Sequence, residues 1–285
     1  MLRCLVALAQ FDKSRNRHSR INIVDLGKLQ KRKREKRKRD RFDIDKIGNA
    51  RYSAAMPRTA RVAPGGMVFH VLNRGIARMP VFEKSGDYEA FERALSETLQ
   101  ETAMRICAYC VLPNHWHLLL WPEQDGHLAK FMQRLTITHV RRWQGHRHYV
   151  GLGHVYQGRY KSFPVEEDEH FLAVTRYVER NALRANLVAR AEEWRWSSLW
   201  RRCRAGTEEK AILTTCPVEL PNDWVERVNR ADNEKELEAL RRSVHRGRPY
   251  GTPEWQRRIV KRLGLESAYR PTGRPGVGSR KLSLE

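Results

Sequence analysis

The chain has 285 residues, 40% of them hydrophobic, and a formal net charge of +22, with a pI near 10.3. That apolar share supports a real core and excludes a chain disordered throughout. The positive excess sets the protein apart from ordinary metabolic enzymes and points to a polyanion, most often nucleic acid.

Residues 1–55 carry 17 Lys/Arg against 6 Asp/Glu, half of the net charge, and include the tract Lys31–Arg39. So dense a charge cannot bury a face, and a disordered basic arm is expected. It is either a non-specific phosphate binder or a stretch upstream of a start at Met56; composition leaves both open. Met1 to Phe11 holds too little apolar sequence for a signal peptide, and no run reaches membrane-spanning length. Cys4, Cys107, Cys110, Cys203 and Cys216 are odd in number and scattered, which fits a reducing, cytoplasmic setting better than a disulfide framework.

Met67–Asn73 alternates as a first strand, closed by Arg74-Gly75. Ser85-Gly86-Asp87 offers capping side chains ahead of Tyr88, Phe91, Leu95 and Leu99, whose spacing predicts a helix to about Thr102. Arg105–Leu112 is a second apolar strand, and Pro113-Asn114 leads directly into His115-Trp116-His117-Leu118-Leu119-Leu120-Trp121, so the two form a hairpin. Gly126 opens a second helix with Leu128, Phe131, Met132, Leu135 and Val140 on one side and Lys130, Arg134, Arg141 and Arg142 elsewhere. A loop over 145–159 precedes Tyr160–Val165, an edge strand given its proline. Glu166–Asp168 begin a third helix, about 168–182, with Phe171, Val174, Val178 and Ala182 as its buried stripe. Strand, helix, strand, strand, helix, strand, helix implies an α+β fold, a ferredoxin-like antiparallel sheet with helices on one face.

The expected organisation is a basic arm over 1–55, a main domain over 56–200 that ends in Trp194-Arg195-Trp196-Ser197-Ser198, a linker over 201–223, a small helical DNA-binding region over 224–270 and a tail over 271–285. Helices are expected over Glu234–Val244 and Glu254–Leu263, separated by Arg246-Gly247-Arg248-Pro249. That tetrad matches the core of a minor-groove AT-hook, and a turn between two helices explains it equally well.

On a strand, His115 and His117 share a face, where one cation could take both neutral imidazoles. A zinc site that adds Cys107 and Cys110 is disfavoured, because a strand puts those cysteines on opposite faces among apolar neighbours; buried thiols are expected instead. Tyr177 and Asn181, four residues apart, fall on one helix face. Beside a divalent cation a phenol can attack a phosphodiester, and an amide oxygen could complete a two-histidine site for Mg²⁺ or Mn²⁺. Pattern alone favours Tyr177 as packing and Asn181 as a C-terminal cap. Tyr156 and Tyr160 are rival nucleophiles without an Asn partner. Arg141, Arg142, Arg159 and Lys161 are candidate phosphate contacts, each also explicable as a solvated basic face.

The blocks Val111–Leu119, Gln157–Ser162, Arg176–Asn181 and Trp194–Ser198, taken together and in order, resemble the single-tyrosine HUH transposases, in particular REP-associated tyrosine transposases, over about Met56 to Trp200. The resemblance implies an HUH nuclease fold and a metal-dependent endonuclease and strand transferase acting on single-stranded or hairpin DNA, as a homodimer or a monomer. His115 and His117 match the HUH pair, Tyr177 the nucleophile and Asn181 the third ligand of a divalent metal. A catalytically silent nucleic-acid-binding regulator on the same fold is the alternative. Two positions depart from the pattern: Ala182 and Arg195 stand where relatives commonly have proline, and Ala182 is expected to let the helix continue past Asn181.

Overall fold

The computed structural model describes residues 62–151, 153–206 and 211–270. The expected basic arm over 1–55, with its tract Lys31–Arg39, and the tail over 271–285 lie outside the described residues. Every described residue belongs to one compact unit.

Four strands form one antiparallel sheet: β1 (Val68–Arg74), β2 (Met104–Leu112), β3 (His115–Pro122) and β4 (Lys161–Val165), in the order β2-β3-β1-β4. Together with helices α1 (Ser85–Glu101) and α2 (His127–His146) this is the expected ferredoxin-like α+β sequence of elements. The two-residue Pro113-Asn114 connection sets the hairpin register, pairing Leu112 with His115, Val111 with Trp116 and Cys110 with His117. β3 therefore sits inside the sheet, flanked by β2 and β1.

Period-two alternation divides the side chains between two cores. On one face Phe69, Val71, Trp116, Leu118 and Leu120 pack with Phe91 and Leu95 of α1 and Phe131 and Leu135 of α2. Asp87 starts α1 as expected, its carboxylate accepting from the Glu83 and Lys84 amides at 2.9 and 3.1 Å. The second face is also covered. There Val68, Cys110, Leu119 and Phe163 pack with Phe171, Val174 and Val178 of α3 (Glu169–Glu179) and with residues from the chain beyond it.

A bulge between Ile106 and Ala108 corrects one expectation. The extra residue shifts the alternation, so Cys107 and Cys110 both belong to the second core instead of facing opposite ways. Both thiols are fully buried, as expected, and no cluster of three metal-binding side chains among the described residues includes them.

The third helix is not the continuous one expected over 168–182. α3 ends at Glu179, and a single turn, α4 (Asn181–Arg184), follows after Arg180 at φ −80°, ψ −5°. Ala182 does keep the chain coiling, with the Arg184 amide donating to the Arg180 carbonyl at 2.9 Å. The Arg180 side chain turns aside to donate to the carbonyls of Val228 and Asn229, both at 2.8 Å.

After α3 and α4 the chain returns to the sheet. The Trp196 carbonyl accepts from the Val111 amide at 2.9 Å and Trp194 Nε1 donates to the Val111 carbonyl at 2.8 Å, so the tryptophan segment covers the outer edge of β2. Helices α5 (Ser198–Arg204), α6 (Trp224–Asn229), α7 (Glu234–Arg246) and α8 (Pro253–Leu263) complete the unit. Between α5 and α6, Thr214 donates its amide to the Ile106 carbonyl at 3.0 Å. The Tyr250 amide donates to the Pro164 carbonyl at 3.0 Å, and the Tyr250 carbonyl accepts from Glu166, which covers part of the β4 edge.

Candidate active site

The site lies on the second face of the sheet, at the end where β1 stops and β3 begins. Here the hairpin turn is held from below: the Gly75 amide donates to the Asn114 carbonyl at 2.8 Å, and the Val81 and Phe82 amides to the Pro113 carbonyl. Gly75 is required there, because a Cβ would stand 2.5 Å from the Met79 carbonyl oxygen. A fixed turn fixes the first residues of β3, and with them His115 and His117.

His115 and His117 lie on one face with ring centroids 5.1 Å apart. Trp116 between them points to the other core, donating Nε1–H to the Tyr156 hydroxyl at 2.9 Å. Each histidine has a neighbour at Nδ1. His115 Nδ1 is 2.6 Å from Asn114 Oδ1, an acceptor, so Nδ1 carries the proton and Nε2 the lone pair. His117 Nδ1 is 2.9 Å from Nε2 of the buried His70; where His117 is the donor, its Nε2 is likewise open. An outer partner on one nitrogen and a free second nitrogen is the arrangement metal-ligating histidines use.

Burial pushes the pKa of His115 down to about 4, with Arg74 adding to the effect. His117 lies well below its ordinary value, through burial first and then the nearby His70, His115, Arg74 and Arg184. Both are neutral at pH 7, so a cation would displace no proton. The two imidazoles therefore fit a divalent ion.

Tyr177 on α3 faces the same cluster. Its ring centroid is 5.9 Å from that of His117 and 6.1 Å from that of His70, both edge-on. No described residue hydrogen-bonds its hydroxyl, which borders an open cleft of about 570 Å³. Burial raises the phenol pKa, while Arg184, Arg241 and Arg74 act in the opposite direction. The Arg184 guanidinium lies 4.5 Å from the ring centroid.

Asn181 is buried on α4 beside this cluster, and Arg184 Nη1 donates to its Oδ1 at 3.0 Å and to the Tyr177 carbonyl at 3.3 Å. Asn181 Nδ2 is buried without a partner among the described residues. An amide oxygen has two acceptor positions, so one remains for a cation beside the Arg184 bond.

α3 is anchored by charge as well as by packing. Glu179, fully buried, accepts from Ser198 Oγ at 2.6 Å, Trp224 Nε1 at 2.7 Å and Arg202 Nε at 3.3 Å. Arg176, Arg180 and Arg184 all pair with Asp232 at 3.0 to 3.5 Å. Two residues from Tyr177, the helix is thus tied to the tryptophan segment and to α6.

The structure brings His115, His117, Tyr177, Arg159 and Lys161 to one region, since the last two line the same cleft. It does not bring the remaining basic residues there. Arg142 is paired with Glu97 of α1 at 2.7 Å, and Arg141 lies on the same helix, α2, which covers the opposite face. Arg246 donates to the Arg270 carbonyl, and Arg248 to the Ala268 carbonyl at 3.1 Å while stacking on Tyr269. Gly247 ends α7 with φ 71°, so this tetrad forms the interhelical turn. Tyr156 is buried on the other face, its hydroxyl between Trp116 and His139, and Tyr160 packs into that core as well.

Sequence reasoning passed over His70, Arg74 and Arg184. His70 left a visible signal, a lone histidine in an apolar strand; the other two are ordinary surface-type residues whose role depends on the fold. Glu166, Asp168 and His170 form the other candidate cation cluster among the described residues. They lie at the far end of β4, where Glu166 accepts from the Thr252 amide at 2.6 Å and Asp168 caps α3 through the His170 amide at 2.8 Å. These bonds make it a structural joint between β4, α3 and the segment before α8.

Residues 65–181 match the family described as IS200-like transposases. Among solved structures, the chain is similar to a REP-associated tyrosine transposase bound to a REP hairpin, with 19% identity, a TM-score of 0.42 and coverage of 50% of this chain and 82% of that one. It is also similar to a candidate transposase from Deinococcus radiodurans R1, with 16% identity, a TM-score of 0.31 and coverage of 46% and 92%. No curated protein matches closely enough to count as a relative. Among the described residues, no helix is long and apolar enough to cross a membrane.

Proposed function

We propose, on the match of residues 65–181 to the IS200-like transposase family, that the protein is a metal-dependent endonuclease and strand transferase that cuts single-stranded DNA at hairpin-flanked sites through a 5′-phosphotyrosine. The observation that carries the reading is the gathering of His115, His117 and the Tyr177 ring on one sheet face within about 6 Å.

His115 Nε2 and His117 Nε2 would hold a Mg²⁺ or Mn²⁺, with the free acceptor position of Asn181 Oδ1 as third protein ligand. The bound ion would polarise the scissile phosphate and offset charge on the leaving oxygen. Arg159 and Lys161 place the DNA backbone in the cleft without reading its bases. Tyr177 Oη attacks phosphorus from the adjoining helix of the same chain, and the P–O3′ bond breaks. The phenol gives up its proton to solvent as it attacks, and the departing 3′ oxygen takes one up. One phosphodiester replaces another, so the step needs no ATP and can be reversed by a second 3′-OH. Burial keeps Tyr177 protonated at rest; Arg184 over the ring favours the phenolate as it forms.

The test is incubation of labelled hairpin DNA, flanked by single strands, with Mn²⁺. The expected result is a covalent protein–DNA adduct that survives denaturation and is absent in Tyr177→Phe. An adduct that persists in that variant refutes the nucleophile assignment. DNA binding insensitive to EDTA, with no cleavage of any hairpin, would instead support a silent regulator.

A further inference from the structure

The cleft beside Tyr177 has a wall that the family segment does not provide. Its lining includes Arg74, Arg159 and Lys161 from the strand side, and Arg241, Val244 and His245 from α7, some sixty residues beyond position 181 where the family match ends. Arg241, Val244 and His245 follow i, i+3, i+4 spacing, so one face of α7 looks into the cleft. The helix is seated rigidly: Leu237 and Leu240 are buried, the Asn233 side chain caps its start at 3.0 Å from the Lys235 amide, and it packs on β4.

The cations in this region fall into two groups. Arg176, Arg180 and Arg184 share Asp232, Arg242 pairs with Glu238 at 2.6 Å, and Arg246 and Arg248 donate to carbonyls. Arg241 and Arg159 form no ion pair or hydrogen bond with any described residue, and Arg74 Nε is buried without a partner. Among the described residues, no carboxylate lines the cleft. Unpaired guanidinium groups converging on a pocket without acidic residues repel one another until an anion enters. Arg241 is also close enough to act on the Tyr177 phenol, together with Arg184 and Arg74.

We infer that Arg241 of α7 binds a backbone phosphate of the DNA strand lying over Tyr177, so that the C-terminal helical region closes the active-site cleft of its own chain. This rests on the function proposed above. A guanidinium donates two parallel hydrogen bonds to one phosphate, which fixes the strand in register as well as attracting it. Arg74 faces it across the cleft on the strand side.

The experiment uses the full chain, as wild type, Arg241→Gln and Arg242→Gln, the last removing the same charge from the neighbouring position whose side chain is paired with Glu238. Binding of a hairpin with a single-stranded flank is followed by fluorescence anisotropy in EDTA over a range of salt, and repeated with single phosphates of the flank replaced in turn by methylphosphonate. Arg241→Gln should bind about tenfold more weakly, with a plot of log K against log salt shallower by ~0.7, while Arg242→Gln follows the wild type. One methylphosphonate next to the cleavage position should weaken the wild type and leave Arg241→Gln unaffected.

Wild-type affinity and salt slope in Arg241→Gln, an equal loss in Arg242→Gln, a methylphosphonate penalty that persists in Arg241→Gln, or no binding by the wild type would each overturn the inference. Because binding is read without metal, the two proposals separate. Loss of affinity in Arg241→Gln without adduct formation by the wild type would refute the nuclease reading alone. Adduct formation with unchanged binding in Arg241→Gln would refute this inference alone.

Discussion

Lowering the pH from 7 to 5 should destabilise the protein strongly, and the buried histidines fix the size of the effect. His70 and His139 are 0% and 2% exposed, and burial pushes their pKa values down to about 3 and about 4. In the unfolded chain each titrates near 6.5. Between pH 7 and 5 the unfolded state therefore takes up protons that the folded state refuses, and stability falls as pH drops. Each of the two contributes a loss of about 2 kcal/mol over that interval, about 4 kcal/mol together, and His117 acts with the same sign. Among the carboxylates, Glu167, whose pKa burial raises, opposes the trend at the lower end of the window, and Asp87 stays out of it. Burial works against ionised Asp87, but the Glu83 and Lys84 amides and Arg147 hold its pKa below the ordinary value, so its share is lost only below about pH 4. Urea denaturation at pH 7, 6 and 5 measures the effect. His139→Gln should remove about 2 kcal/mol of the pH dependence whatever its stability at pH 7. A free energy of unfolding that changes by less than about 1 kcal/mol between pH 7 and 5 would refute the view that these histidines are held neutral.

Other outcomes follow from particular contacts. His117→Ala should abolish Mn²⁺ binding measured by calorimetry while retaining the far-ultraviolet circular dichroism of the folded chain; unchanged Mn²⁺ affinity would remove the histidine pair from the metal site. Glu179→Ala leaves the buried Trp224 Nε1 without an acceptor and takes the carboxylate from Arg202 and Ser198, and should cost about 3 kcal/mol by urea denaturation, with a loss under 1 kcal/mol counting against its anchoring role. Arg142→Gln breaks a pair whose side chains are 47% and 48% exposed, so stability should change by less than about 0.5 kcal/mol. Hairpin affinity should stay within twofold of wild type in the same variant, because α2 covers the face away from the cleft; a larger loss would place DNA on that face too.

Much of the fold was legible because periodicity reports burial directly. The four strands, the two-residue hairpin and the two helices of the first face follow from alternation, helical spacing and turn chemistry, and the observed strand boundaries differ from the expected ones by a residue or so. The bulge at Ile106/Ala108 was not legible, since one extra residue leaves the apolar run Ile106-Cys107-Ala108 looking like any other strand. The break at Arg180 was equally hidden. It coincides with hydrogen bonds from Arg180 to the carbonyls of Val228 and Asn229, contacts between segments nearly fifty residues apart that no local pattern records.

The same division between local and distant causes explains the site. His115 and His117 could be placed on one face from the sequence because a strand alternates, and Tyr177 could be set near Asn181 because a helix repeats. What could not be read was the fate of each arginine. Arg246 and Arg248, prominent as a motif, are spent on backbone carbonyls, and Arg142 on Glu97. Arg241, inconspicuous beside Arg242, lines the cleft with no ion pair or hydrogen bond to any described residue. A cation in a basic chain binds DNA only if the fold has not already neutralised it, and that depends on whether a carboxylate or carbonyl from elsewhere reaches it. Asp232 makes the point most directly: by drawing Arg176, Arg180 and Arg184 to itself, it turns three basic residues of the Tyr177 segment into a clamp on α3 and α4, and leaves Arg159 and Arg241 as the cleft guanidinium groups without a partner among the described residues.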